Sequence, residues 1–152
     1  QAAIDNTRAR LAALSILIGT VAATGPGVTI RIDDPARGVA PETMLDVINE
    51  LRAAGAEAME VATAGTAVRV GVDSWVVGRP GALAMDGVTL SPPYSVLAIG
   101  DPPTLAAAMN IPGGAVDSVE RVGGTITVQQ ADRVDITTLR QPKPRQYAQP
   151  VK

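Results

Sequence analysis

Val28-Thr29-Ile30-Arg31-Ile32-Asp33-Asp34-Pro35 is the stretch on which the reading of the fold turns. Val28, Ile30 and Ile32 alternate with Thr29, Arg31 and Asp33, a period of two that marks a strand with one apolar and one wet face. Asp-Asp-Pro ends it, because Asp favours turns and Pro cannot donate to a sheet. Pro41 then suits the first turn of a helix over 42–54, with Met44, Val47, Ile48 and Leu51 on one side and Asp46, Asn49, Glu50 and Arg52 on the other. Gly55 is a natural stop, and residues 56–62 read as a short returning strand. Strand, helix and strand make a βαβ unit with a right-handed crossover.

Downstream, residues 63–90 hold short apolar runs separated by Gly65, Gly71, Gly78, Gly81 and Gly87. They read as small strands inserted between two halves, with Asp86-Gly87 as a two-residue hairpin turn. Tyr94 to Ile99 is almost continuously apolar, as in a central strand covered on both faces. Asp101 can cap a helix over 102–109, with Pro102 at its first position. Gly113-Gly114 breaks it, Val116 to Val122 can form another turn, and Thr125 to Gln130 alternates as a last strand. The order β-α-β, insert, β-α-β is that of a ferredoxin-like α+β fold. It predicts one sheet holding 28–33, 94–99 and 125–130, with helices 42–54 and 102–109 on the same face.

Upstream, Gly25-Pro26-Gly27 reads as a boundary between a leading segment, 1–24, and a globular domain, 25–139. Residues 3–23 read as a helix, in which Ile4, Leu11, Leu14, Ile18 and Val21 fall at heptad a/d spacing, with Thr7 as a weak d position. A seam of about three heptads is the lower limit for a coiled coil. Two readings stay open: a helix packed on its own domain, and the end of a coiled-coil stalk that self-associates through those five residues. At the other end, 140–152 is a basic, Pro-rich tail with no acid, read as extended and solvated.

Composition narrows the chemistry. Hydrophobic residues make up 46% of the 152 residues and charged residues 18%, enough for a folded core, yet there is no Phe and only one Trp. The core must be built from Ala, Val, Ile and Leu. The absence of His and Cys removes His-based triads, thiol catalysis, disulfides and Cys- or His-ligated metals. The net charge of −2 gives no basic field for nucleic acid. No run is long enough to span a membrane. The chain opens on Gln1, which is read as a trimmed start, so that any anchor would lie upstream.

The remaining motifs favour structural roles. Asp33-Asp34 is the only adjacent carboxylate pair in the sequence, but neighbours on a strand point to opposite faces and share a metal or proton poorly. Asp101 sits where α/β folds hold ligands, yet its own carboxylate would occupy the helix N-terminus. No dinucleotide or phosphate-loop fingerprint occurs, and no Gly-x-Ser-x-Gly elbow. Ser91-Pro92-Pro93-Tyr94 is either a rigid recognition surface or the lead-in to a buried strand. Trp75 is read as a local core anchor rather than a ligand platform. No catalytic, cofactor-binding or metal-ligating residue is assigned.

The motifs Gly25-Pro26-Gly27-Val28, Ile32-Asp33-Asp34, Asn49-Glu50-Leu51, Ala53-Ala54-Gly55-Ala56-Glu57-Ala58, and Pro92-Pro93-Tyr94 through Ala98-Ile99-Gly100-Asp101-Pro102 resemble a bacterial domain of unknown function, family 881, the YlxW/YlxX-like proteins. The likeness runs from about residue 11 to 139. Where the family usually turns on Asn-Gly after Ala-Glu-Ala, this chain has Ala62-Thr63-Ala64-Gly65. The resemblance implies an upstream membrane anchor, a coiled coil and a globular domain on the outer face of the cytoplasmic membrane. It also implies a partner among envelope or cell-division proteins, and supplies no catalytic residue. The expectation is a non-enzymatic interaction module. Its alternatives are a small-molecule-binding regulatory domain, which would need a partly apolar pocket between insert and sheet, and a carboxylate-based hydrolase.

Overall fold

A computed structural model describes residues 1–141 and 147–151. The chain folds as α+β, with an N-terminal helix followed by antiparallel sheets. Helix α1 spans Ala2–Ile18, β1 Ala23–Asp33, α2 Pro41–Ala53 and β2 Ala58–Thr63. Four short strands follow: β3 (Thr66–Arg69), β4 (Val76–Arg79), β5 (Ala82–Met85) and β6 (Val88–Leu90). The chain continues through β7 (Tyr94–Ile99), α3 (Pro102–Met109), α4 (Ala115–Arg121) and β8 (Thr125–Ile136).

The main sheet has five strands in the order β3-β2-β7-β1-β8, each pair antiparallel. The strands read at 28–33, 94–99 and 125–130 are neighbours in it, with Ile30 opposite Val96 on one side and Val128 on the other. Their apolar side faces the helices. Val28, Ile30, Ile32, Tyr94, Val96 and Ala98 share one core with Met44, Val47, Ile48 and Leu51 of α2, and Leu105 and Met109 of α3. Ala115 and Val119 of α4 complete this layer, so all three helices lie on one face. Complete burial of fifteen Val, Leu, Ile or Met side chains, each contributing about 1.5–3 kcal/mol, is the main favourable term holding the head together.

The insert divides. β3 joins the main sheet as its edge, while β4, β5 and β6 form a separate three-stranded meander. Val76, Leu83, Met85 and Leu90 of that meander belong to the same core, and β4 packs on α2. The Asp86-Gly87 turn is as expected: both residues take positive φ, 50° and 82°, which a type I′ turn requires. Asp101 caps α3, its Oδ2 accepting from the Thr104 amide at 3.2 Å, with Pro102 at the first position.

Three expectations need correction. Gly25-Pro26-Gly27 lies inside β1, at a bulge between Gly25 and Gly27, and is not a break ahead of the strand. A Cβ on Gly27 would overlap the Ala98 carbonyl, so the glycine serves close strand approach rather than flexibility. Strand β7 is central but not covered on both faces along its length. Ser95 and Leu97 point to the open side of the sheet with Thr29, Arg31, Thr127 and Gln129. Only its end is covered there, where Ile99, Ala58, Val134 and Ile136 form a second, small core that Ile16 of α1 packs against. Finally, α1 ends at Ile18. Gly19 takes φ 90° and closes the helix through bonds to the Ser15 and Ile16 carbonyls, so residues 20–23 are not helical.

Candidate functional site

The residues singled out in the leading segment fall mostly on α1. Ile4, Leu11, Leu14 and Ile18 lie along one side of that helix, because steps of seven, three and four residues return to nearly the same angle. All are exposed, Leu11 to 59%. Ile16 points the other way and meets the small core. From Gln1 to Leu14 every residue is exposed, so the domain covers only the last turn of α1. Val21 departs from the expected seam: it lies beyond Gly19, outside the helix, and its carbonyl accepts a hydrogen bond from Arg69.

Beside the base of α1 lies a groove of about 750 Å³ lined by Ile18, the β3 edge, Val72, Trp75, Leu139 and Arg140. Trp75 is 46% exposed and forms part of the groove wall, not the local core anchor expected of it. Arg140, read as the start of a solvated tail, is docked here. Its amide donates to the Gly19 carbonyl at 2.7 Å, and its guanidinium pairs with Asp73 at 2.6 Å and Asp86 at 3.8 Å. Asp86 also accepts from Ser74 Oγ at 2.8 Å and the Trp75 amide at 3.0 Å. The Arg140 guanidinium holds the Asp73 carboxyl below its usual range, chiefly through their hydrogen bond. Residues 142–146 and 152 of the tail lie outside the described residues.

Arg69 was not singled out from the sequence. It is 2% exposed, on the edge strand β3, opposite Glu60 of β2. Burial lowers its pKa and Glu60 acts against that fall. The available signal was a charged residue inside the apolar run Val68-Arg69-Val70, across the hairpin from an acid.

The other candidates are structural. Asp34 is buried, and its two carboxylate oxygens accept from the Gly38 and Val39 amides at 2.8 and 3.1 Å. Asp33 instead pairs with Arg31 at 3.0 Å on the open face, so the two acids serve different partners. Ser91 to Tyr94 leads the chain into β7, through a cis Pro92–Pro93 bond, with Tyr94 fully buried. Among the described residues, no three acids converge as a metal site would require, and no helix is long and apolar enough to cross a membrane.

Comparison with known proteins agrees with the resemblance. The profile "Bacterial protein of unknown function (DUF881)" matches residues 10–149. The chain is 73% identical over its full length to UPF0749 protein Rv1825 of Mycobacterium tuberculosis, covering 52% of that protein. It is 28% identical over 129 residues to UPF0749 protein YlxW of Bacillus subtilis, covering 78% of this chain and 54% of that one. The chain therefore spans about half the length of these curated relatives. A crystal structure of an uncharacterized conserved protein from Mycobacterium tuberculosis superposes with a TM-score of 0.87 at 75% identity, over 93% of this chain and 99% of that one. On the family match along nearly its whole length, the chain belongs to the bacterial family of unknown function DUF881.

Proposed function

We propose that this chain is a non-enzymatic interaction module that pairs with a second copy of itself through α1, on the outer face of the cytoplasmic membrane, and presents its domain to an envelope or cell-division protein. The observation that carries the reading is the uncovered stripe of Ile4, Leu11, Leu14 and Ile18. A lone helix of 17 residues is marginal in water, so a stripe that its own domain leaves bare needs another partner. Heptad spacing suits a like helix. Placement outside the membrane and the division or envelope partner rest on the family resemblance alone. For the head we propose a ferredoxin-like arrangement: the order β2-β7-β1-β8, with crossover helices on one face, supports it, β3 and the meander being additions.

Replacing Leu11 and Leu14 together with Asp tests the pairing. Sedimentation should show self-association in the parent chain and none in the double variant, while thermal melting shows the same folded domain. A parent chain that stays monomeric at high concentration, taken with a monomeric longer relative, would sink the reading.

The groove favours a second reading, a small-molecule site between insert and sheet. Its size is that of a ligand pocket and Trp75 offers a stacking face. Against it, Arg140 is already neutralised by Asp73 and Asp86. Quenching or shifting of the emission of Trp75, the one Trp in the chain, on titration with a metabolite panel would decide for the ligand.

A further inference from the structure

Arg69 lies at the meeting point of three chain segments distant in sequence. Nη1 donates to the carbonyls of Val21 at 2.8 Å and Thr138 at 3.0 Å, and Nη2 donates to the carbonyl of Ile16 at 3.0 Å. Ile16 lies in the last turn of α1, where its carbonyl accepts from the Gly19 amide at 3.1 Å and has a second lone pair free for Arg69, and where the helix dipole favours a cation. Thr138 is held a second time, its hydroxyl donating to Glu60, the cross-strand neighbour of Arg69. A few residues on, the Arg140 amide bonds the Gly19 carbonyl.

Burying a guanidinium is expensive, and a well-packed apolar side chain would fill the position at lower cost. Among the described residues its Nε has no hydrogen-bond partner. What the arginine supplies and an apolar residue cannot is a planar fork that reaches several acceptors in fixed directions. Here the acceptors belong to the end of α1, the link to β1 and the segment after β8. The described contacts of the α1 end with the domain are otherwise few: Ile16 against the small core, Leu17 and Ile18 on the walls of two surface grooves, and the Arg140 amide on the Gly19 carbonyl.

We propose that Arg69 is a clamp that fixes the direction of α1 relative to the sheet, making the protruding helix and the domain one rigid body. The helix then enters any pairing at a set angle, and the groove stands at a set place beside it. The clamp acts within one chain and is independent of whether α1 pairs with a second copy.

Gly19 offers an independent handle. Its φ of 90° suits glycine, and a Cβ there would stand 3.1 Å from Arg69 Cγ and 3.2 Å from Arg140 Cδ. Gly19→Ala should therefore disturb the clamp without removing the guanidinium.

The chain has no Cys, so two introduced cysteines carry spin labels cleanly. Asn6→Cys on α1 and Gln129→Cys on β8 are both exposed, and Asn6 lies off the apolar stripe. The labelled chain, diluted into excess unlabelled chain so that only distances within a molecule are read, should give a narrow distance distribution. Arg69→Met and Arg69→Lys should both broaden it, because neither side chain reaches all three carbonyls. Amides near Thr20 and Val21 should exchange about tenfold faster while those of β1 and β7 keep their protection. A broad distribution in the parent, or a narrow one in Arg69→Met or in Arg69→Lys, overturns the proposal. If the Arg69 variants do not fold, Gly19→Ala decides: broadening with an intact sheet supports the clamp, and an unchanged narrow distribution overturns it.

Discussion

Helices α1 and α2 both carry apolar residues at helical spacing, yet they end in opposite surroundings. Six residues of α2 are buried, among them Met44, Val47, Ile48 and Leu51, whereas none of α1 is. The cause is connectivity as much as composition. Short links tie α2 to β1 and β2, the two strands of one βαβ unit with β7 between them, so its apolar side must settle on the sheet. Helix α1 meets the domain only at its C-terminal end, where Ile16 is turned towards the small core. An apolar stripe states that a helix needs cover, and the chain path decides whether the same molecule supplies it.

That contrast can be tested by the cost of truncating a leucine in each place. Leu51→Ala should destabilise the domain by about 2–5 kcal/mol, because a fully buried side chain leaves a cavity. Urea unfolding monitored at Trp75 measures it. A loss below 1 kcal/mol, on the scale of an exposed site, would erase the difference between the helices.

Next in size is Asp34→Ala in the loop that delivers α2. It strands the buried Val39 amide and the Gly38 amide and should cost about 1–3 kcal/mol in the same assay. An unchanged midpoint would mean that the loop ahead of α2 relaxes freely, and that tight connection is not what fixes that helix.

A smaller effect belongs to the groove. The Asp73 carboxyl is held below its ordinary value by Arg140. The pair therefore stabilises the fold above the unfolded carboxyl pKa near 4, and the gain is lost as pH falls through the lower folded value. The Asp73 side chain is 72% exposed, so solvent screening leaves only a few tenths of a kcal/mol. Asp73→Asn should flatten that part of the acid limb in urea titrations between about pH 2 and 5. An identical limb would show that Arg140 is held by Asp86 and the Gly19 carbonyl instead.

The smallest change expected in the monomeric domain is from Leu11→Ala, centred on zero and inside the roughly ±0.5 kcal/mol scatter of exposed sites. The measurement is again urea unfolding, at a concentration where sedimentation shows one copy. A loss approaching that of Leu51→Ala would place the α1 stripe against its own domain and end the comparison.

Much of the domain was legible because period-two and helical patterns report burial directly. The strands at 28–33 and 125–130, the α2 face, the Asp101 cap and the Asp86-Gly87 turn all rest on local rules that act within a few residues. Three features needed the neighbours. Gly25 to Gly27 looks like a breaker in one dimension, and only its approach to Ala98 shows a strand continuing through a bulge. Trp75 was read as a core residue from its size, but its edge location leaves nearly half of it bare. Arg140 belongs by sequence to a basic, Pro-rich stretch, and is withdrawn from it by two acids contributed from the insert.

The sequence by itself determined that this protein has an α+β head with a core poor in aromatic residues, a leading helix with an apolar stripe, and no His or Cys for chemistry. These follow from composition and short-range periodicity, which survive whatever the chain does at long range. Only the tertiary structure decided that the stripe faces away from the domain, and that a single buried arginine joins Ile16, Val21 and Thr138 at the foot of the helix. Hydrogen bonds between residues 53 and 69 positions apart leave no mark in local pattern, because the partners are backbone carbonyls that every residue carries.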